Sequence, residues 1–231
     1  MPREALVFDV NETLLDLAGL DPEFERLFGA AAVKGEWFAQ LLAASFTSAL
    51  TDRYVDFGVL AGQALKLVAK RRGRELTREE VERVVSGMTR LAPHPDVAPA
   101  LERLRGAGFR LAALSNSPYA MLRAQLRHAA LDGFFEAILS VDDVRRFKPH
   151  PDVYRSAAAK LGVAPSGMRM IAAHNWDVTG AARAGCRTAF VARPGRFLGE
   201  MDERVPIIGA DLGEVARLIE AAQESEPAIG I

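Results

Sequence analysis

The sequence predicts an α/β fold: a parallel sheet with helices on both faces and a helical segment inserted after the first strand. Three observations predict it. Apolar strand-like runs alternate with helical patterns from Ala92 onward, the mark of parallel βαβ units. Before that, roughly seventy residues from Asp21 to Leu91 carry helical spacing and no convincing strand. Finally, the strand-like runs end in polar, chemistry-bearing residues, which such folds gather beyond the carboxyl ends of their strands.

Taken in order, "EALVFDV" reads as a buried strand. In the insert, Trp37, Leu41, Leu42 and Phe46 suggest one helix. Phe57, Leu60, Ala61, Ala64, Leu65 and Val68 mark the next. Thr77 and Glu80 resemble a capping box ahead of a Val81, Val84, Val85 and Met88 stripe. "APHPDV" returns the chain to the core, where Asp96 can cap a helix through Leu101 and Leu104. "FRLAALSNS" is a strand, followed by a helix with Ser117 as N-cap and Pro118 at its first position. The strand "FEAILSV" leads through "KPHP" into another helix. "MRMIAAH" is a strand, Asp177 to Gly185 a short helix, and "RTAFVA" a strand. "PIIGA" is a short edge strand, and Gly213 to Ala222 form the last helix.

With 231 residues the chain is long enough for a large domain, or a core with a smaller insert. It is 49% hydrophobic and 26% charged with a formal net charge of −1, which gives no reason to expect a nucleic-acid or membrane-surface partner. The longest apolar runs are too short to span a bilayer. The single cysteine, Cys186, cannot form an internal disulfide; with no signal-peptide pattern, it predicts a cytoplasmic protein. In "RAGCRTAFVA" it reads as a packed thiol.

Four strand ends deliver the candidate site. Asp9 reads either as a turn cap or as a carboxylate nucleophile, and the company of Lys148 and Asp177 favours the nucleophile. Thr13 can cap the following turn and orient Asp9. Ser115 and Asn116 form a strand-to-helix turn or an anion cradle. Lys148, stiffened by neighbouring prolines, would hold Asp9 ionised and attract an anion. Tyr154 is core packing or a supporting hydroxyl; His174 is a satisfied core histidine or a charge donor. Asn175 shares its strand end. Asp177 is a helix cap or a second acid. Trp37 and Phe38 belong to the packing of the insert or line a dry cleft. His94, His128 and His150 lack zinc spacing, and no GxGxxG or GK[ST] run marks a nucleotide site.

These residues, Asp9 in "FDVNETLLD", Ser115 in "LSNSP", Lys148 in "FKPHPDVY" and Asp177 in "HNWDVTGA", resemble the haloacid dehalogenase superfamily. "RYVDF", "LSVDDV" and "NWDVTGAARAG" resemble its L-2-haloacid dehalogenases, the type II group. The resemblance runs from Glu4 to Ile219. It implies a Rossmann-like core, residues 1–16 and 93–231, with a helical cap at 17–92. It also implies a hydrolase that cleaves the carbon–halogen bond of short 2-haloacids to 2-hydroxy acids through an ester on Asp9. In that scheme Asp177 helps activate water, Lys148, Ser115 and Asn116 hold Asp9 and the substrate carboxylate, and Tyr154 supports Lys148. No cofactor or metal is implied; a homodimer is.

Where superfamily phosphatases resemble "DxDxT", this chain has Asn11 in place of the second acid, which protonates a departing alkoxide. A halide needs no proton. Where those enzymes resemble "GDxxxD", Ala173 replaces the first acid, which weakens a magnesium site. The typical dehalogenase run "SSNAWD" becomes "AAHNWD", and the typical cap "WR" becomes Trp37-Phe38. The expectation is that His174, Asn11 and Asn116 share the halide-stabilising duty of the absent arginine. Two rival readings are a magnesium-dependent phosphatase and a catalytically impaired anion-binding protein.

Overall fold

The computed structural model of the protein describes residues 4–225. Among them a six-stranded sheet has the order β3-β2-β1-β4-β5-β6, every pair parallel. The strands are β1 (Ala5–Phe8), β2 (Arg110–Ser115), β3 (Ala137–Ser140), β4 (Met168–Ala172), β5 (Arg187–Val191) and β6 (Ile207–Gly209). The four residues of β1 and the five of β4 are all buried, as expected of central strands covered on both faces. The chain runs outward from β1 to β3, then restarts on the other side of β1 with β4. The order therefore reverses between β1 and β4, where α/β sheets open their binding crevice.

Between β1 and β2 lie α1 (Asp21–Phe28), α2 (Val33–Leu50), α3 (Phe57–Arg71) and α4 (Arg78–Gly87), with no strand among them. Thr77 and Glu80 form the expected capping box. The α3 stripe from Phe57 to Val68 is buried, each large apolar side chain contributing about 1.5–3 kcal/mol. The two ends of the insert are tied together: Asp16 donates its N–H to Ala92 at 2.9 Å, and His94 donates to Leu14 at 2.9 Å.

The remaining helices are α5 (Val97–Gly106), α6 (Tyr119–His128), α7 (Pro151–Lys160), α8 (Asn175–Arg183) and α9 (Leu212–Ser225). Three helix starts differ from expectation. Asp96 makes no capping bond to α5; its carboxylate is taken by Arg193, and by the Leu212 N–H at the start of α9. Pro118, not Ser117, is the N-cap of α6; the Ser117 hydroxyl accepts a bond from Asn11, and the Tyr119 N–H at the helix start is taken by Asp142. The last of the three is α8, which begins at Asn175 behind a His174 N-cap, so Asp177 lies inside the first turn and is free to face inward. No helix among the described residues is long and apolar enough to cross a membrane. Cys186 is buried, and burial pushes its thiol up to about 12, consistent with packing. Residues 1–3 and 226–231, which the sequence reading assigned to the core, lie outside the described residues.

Candidate active site

Asp9 follows β1 and extends the ladder at the crevice by donating its N–H to Ile171 at 3.0 Å. Its carboxylate is buried and held from three directions. Thr13 Oγ1 donates to Oδ2 at 2.6 Å, while that hydroxyl accepts the Ala173 N–H at 2.9 Å. Lys148 Nζ donates to Oδ1 at 2.8 Å. His174 Nδ1 lies 3.1 Å from Oδ2. Burial alone would raise the Asp9 carboxyl, but Lys148 and His174 bring it well below the usual carboxylate range. It is an anion at any physiological pH.

Lys148 is fully buried, and its ammonium also donates to Asp177 Oδ2 at 2.6 Å and to the Leu114 carbonyl at 3.2 Å. All three N–H groups are thus used. Burial opposes its charge, but Asp177 and Asp9 outweigh it and raise its pKa. An ammonium therefore bridges the two acids. Asp177 is fully buried too; burial, with help from Asp9, raises its carboxyl although Lys148 opposes, which makes it a better proton acceptor than an ordinary aspartate. Tyr154 donates to Asp177 Oδ1 at 2.7 Å. The hydroxyl expected to support Lys148 instead orients Asp177. Gly180 makes this close packing feasible: a Cβ there would meet Pro149 Cβ at 2.5 Å and the Tyr154 hydroxyl at 2.9 Å.

Asn116 is fixed against this cluster, its Oδ1 accepting the Lys148 backbone N–H at 2.9 Å. Its buried Nδ2 has no protein partner, a costly state for a donor unless a ligand takes it. Ser115 Oγ accepts the Ser117 N–H at 3.1 Å. Asn11 is differently placed from expectation. Its amide donates one N–H to Ser117 Oγ at 3.2 Å and accepts from Gln125 at 2.9 Å, which holds it against α6 rather than against Asp9. Asn175 also faces away, donating to Asp202 at 3.1 and 3.3 Å.

The insert roofs the site with rings. Phe38 of α2 stacks on His174 with centroids 6.2 Å apart, and Trp176 stacks on the same ring at 4.9 Å. Phe46 of α2 meets Trp176 edge-on at 5.3 Å. Trp37 does not join them: it is buried against Phe24 and Phe38, and its indole N–H bonds the Ala61 carbonyl at 2.9 Å. Two groups escaped the sequence reading altogether. Glu12 Oε2 lies 2.9 Å from His174 Nε2, and Glu12 Oε1 accepts from the Arg196 guanidinium. Burial would lower the His174 pKa, yet its bonds to Asp9 and Glu12 raise it to about 9, so the ring is an imidazolium at neutral pH. The available signal was a single acid, Glu12, within three residues of Asp9. No group of three or more His, Cys, Asp or Glu side chains among the described residues is arranged to hold a metal ion.

This arrangement, an ionised carboxylate beside a second acid and two cations, suits nucleophilic attack and hydrolysis of the resulting ester. Residues 4–185 match the family model described as haloacid dehalogenase-like hydrolase. The (S)-2-haloacid dehalogenase 4A of Burkholderia cepacia is 34% identical over 193 residues, which span 83% of this chain and 84% of that protein. The (S)-2-haloacid dehalogenase of Xanthobacter autotrophicus is 35% identical over 195 residues, 82% of this chain and 75% of that protein. Among solved structures, L-2-haloacid dehalogenase from Xanthobacter autotrophicus superposes with a TM-score of 0.88 at 30% identity, covering 94% of this chain and 98% of that one. The same enzyme with chloropropionic acid covalently bound also gives 0.88, at 29% identity, with coverage of 94% and 98%. The chain belongs to the haloacid dehalogenase-like hydrolases.

Proposed function

We propose that the protein hydrolyses the carbon–halogen bond of short 2-haloacids to 2-hydroxy acids through an ester on Asp9. One observation carries this reading: a buried Asp9 carboxylate, kept ionised by Lys148 and His174 at the crevice of the sheet. The relatives named (S)-2-haloacid dehalogenase support it, as does the neighbour with chloropropionic acid covalently bound.

In the first step an Asp9 oxygen bonds to C2 while the carbon–halogen bond breaks, and the halide leaves with its electron pair. No acid is required, which accounts for an amide at position 11. The unpartnered Asn116 N–H, with the Ser115 hydroxyl, receives the substrate carboxylate. His174 supplies charge to the departing halide beneath the Phe38 and Trp176 rings. In the second step water attacks the Asp9 carboxyl carbon and Asp177 accepts its proton. The ester carbon–oxygen bond then breaks, and the alkoxide is protonated as it leaves. One water is consumed; one halide and one proton are released. The helical segment 17–92 acts as a cap over the core of 1–16 and 93–231, keeping bulk water from the nucleophile. This chemistry calls on no cofactor.

We also assign the protein to the cytoplasm, as a homodimer. A lone buried cysteine suits a reducing compartment. Leu50, Val59 and Leu67 leave exposed apolar surface on the insert for a second copy.

The test is halide release from 2-chloropropionate in the presence of EDTA, which Asp9→Asn should abolish. Magnesium-dependent phosphate release from an aryl phosphate, or binding without turnover, would contradict the reading.

A further inference from the structure

Glu12 sits three residues beyond Asp9 with a φ of 63°, a left-handed conformation that side chains rarely adopt and that persists only where surrounding contacts hold it. Its carboxylate is fully committed. One oxygen lies against His174 Nε2 at 2.9 Å, and the other accepts from Arg196. Since His174 Nδ1 is 3.1 Å from Asp9, a continuous chain runs from the partly exposed Arg196 through Glu12 and His174 to the nucleophile. Phe38 and Trp176 stack on the imidazole, so Asp9 and Glu12 are its polar partners.

We propose that Glu12, braced by Arg196, is a positioning residue that locks the His174 ring onto Asp9 and supplies the negative charge that lets this ring remain a cation in a buried site. The positive charge beside Asp9 on this side comes from the core, from His174, and Glu12 is what sustains it there. The inference rests on the reading of Asp9 as the nucleophile.

Charge balance supports it. The cluster holds three carboxylates, Asp9, Glu12 and Asp177, and three cations, Lys148, His174 and Arg196, so it is neutral when His174 is protonated. Removing the Glu12 charge leaves a net positive cluster, which disfavours the imidazolium. The other faces do not compensate. From α2 the ring meets uncharged Phe38, and Lys34, at the start of that helix, is paired with Asp21. Lys34, His94, Arg193 and Arg196, with the acid Asp16, line a cavity of about 310 Å³ that also borders Glu12. Within it, burial and Arg193 disfavour the charged form of His94.

The experiment is an NMR titration of isotopically labelled histidine in the full-length protein, with His174, one of four histidines, assigned by the signal lost in His174→Gln. In the wild type the His174 ring should titrate near pH 9. In Glu12→Gln its midpoint should fall by at least about one pH unit, and in Arg196→Gln, which removes a positive charge and leaves the Glu12 carboxylate to His174 alone, it should rise. Halide release should follow: the ratio of turnover at pH 8.5 to that at pH 6 should drop by at least about threefold in Glu12→Gln. An unmoved midpoint, or a uniform loss of turnover with the pH profile unchanged, would overturn the proposal. If Glu12→Gln does not fold, the partly exposed Arg196→Gln decides, and an unshifted or lowered midpoint there overturns it. A wild type that releases no halide would defeat the functional reading, while the NMR midpoints would still decide the inference.

Discussion

Asp9 is held by two cations that differ in kind. On one side Lys148 is fully buried, bonded to Asp9, Asp177 and Leu114, and raised above the ordinary lysine pKa, so its charge is permanent over any working pH. On the other side His174 titrates at about 9, so its charge is conditional. The permanent charge is shared with the acid that activates water in our scheme. The conditional charge is linked, through Glu12 and Arg196, to the rim of the molecule. The difference teaches that the site divides its two duties between two cations that share one carboxylate. In the proposed scheme Lys148 keeps both acids ionised for attack and hydrolysis, while His174 answers the charge on the leaving group.

Breaking the permanent side should have the largest effect. Lys148→Met leaves Asp9 and Asp177 buried without their shared counter-charge. Orphaning a buried charge in this way costs about 3–5 kcal/mol of stability. Halide release should fall by at least about 10³-fold, equivalent to roughly 4 kcal/mol of barrier. Urea unfolding and initial-rate assays check both. A stable, active variant would show that the lysine is dispensable.

Changing the conditional side should do less and should depend on pH. His174→Gln keeps a hydrogen-bonding side chain but no charge. We expect about a tenfold loss of turnover at pH 7, roughly 1.4 kcal/mol, and disappearance of the alkaline limb near pH 9. Stability should follow the same group. Its folded pKa lies above the unfolded value, so its contribution is fully present below about pH 6.5 and is lost as pH rises through the folded pKa. The stability gap between wild type and His174→Gln, measured by urea unfolding, should therefore be largest near pH 6 and should narrow towards pH 10. An identical pH profile in the two proteins would remove the histidine from the mechanism.

The two sides also differed in how readily the sequence disclosed them. Asp9, Lys148 and Asp177 follow apolar strands and Ser115 ends one, and the rule that α/β sheets bind beyond their strand ends was enough to place them on one rim. The insert was legible from its three-four spacing and the Thr77 capping box. What stayed hidden depended on side-chain direction inside turns. Tyr154 was expected on Lys148, but α7 and α8 pack closely at Gly180 and bring its hydroxyl to Asp177. Asn11 was expected to face an anion, but Ser117 and Gln125 claim its amide. Trp37 was grouped with Phe38, yet adjacent helical residues point in different directions, and only Phe38 reaches His174. Glu12 resembled any solvated acid in a turn. Its left-handed backbone turns it onto the histidine, and no periodicity reports that.

The most direct measurement is mass spectrometry of the protein after a single turnover of 2-chloropropionate in ¹⁸O-labelled water. The account predicts one labelled oxygen retained in the Asp9 carboxylate and an unlabelled 2-hydroxy acid. Label in the product alone, with Asp9 unlabelled, would show that water attacks the substrate carbon directly and would contradict the covalent route.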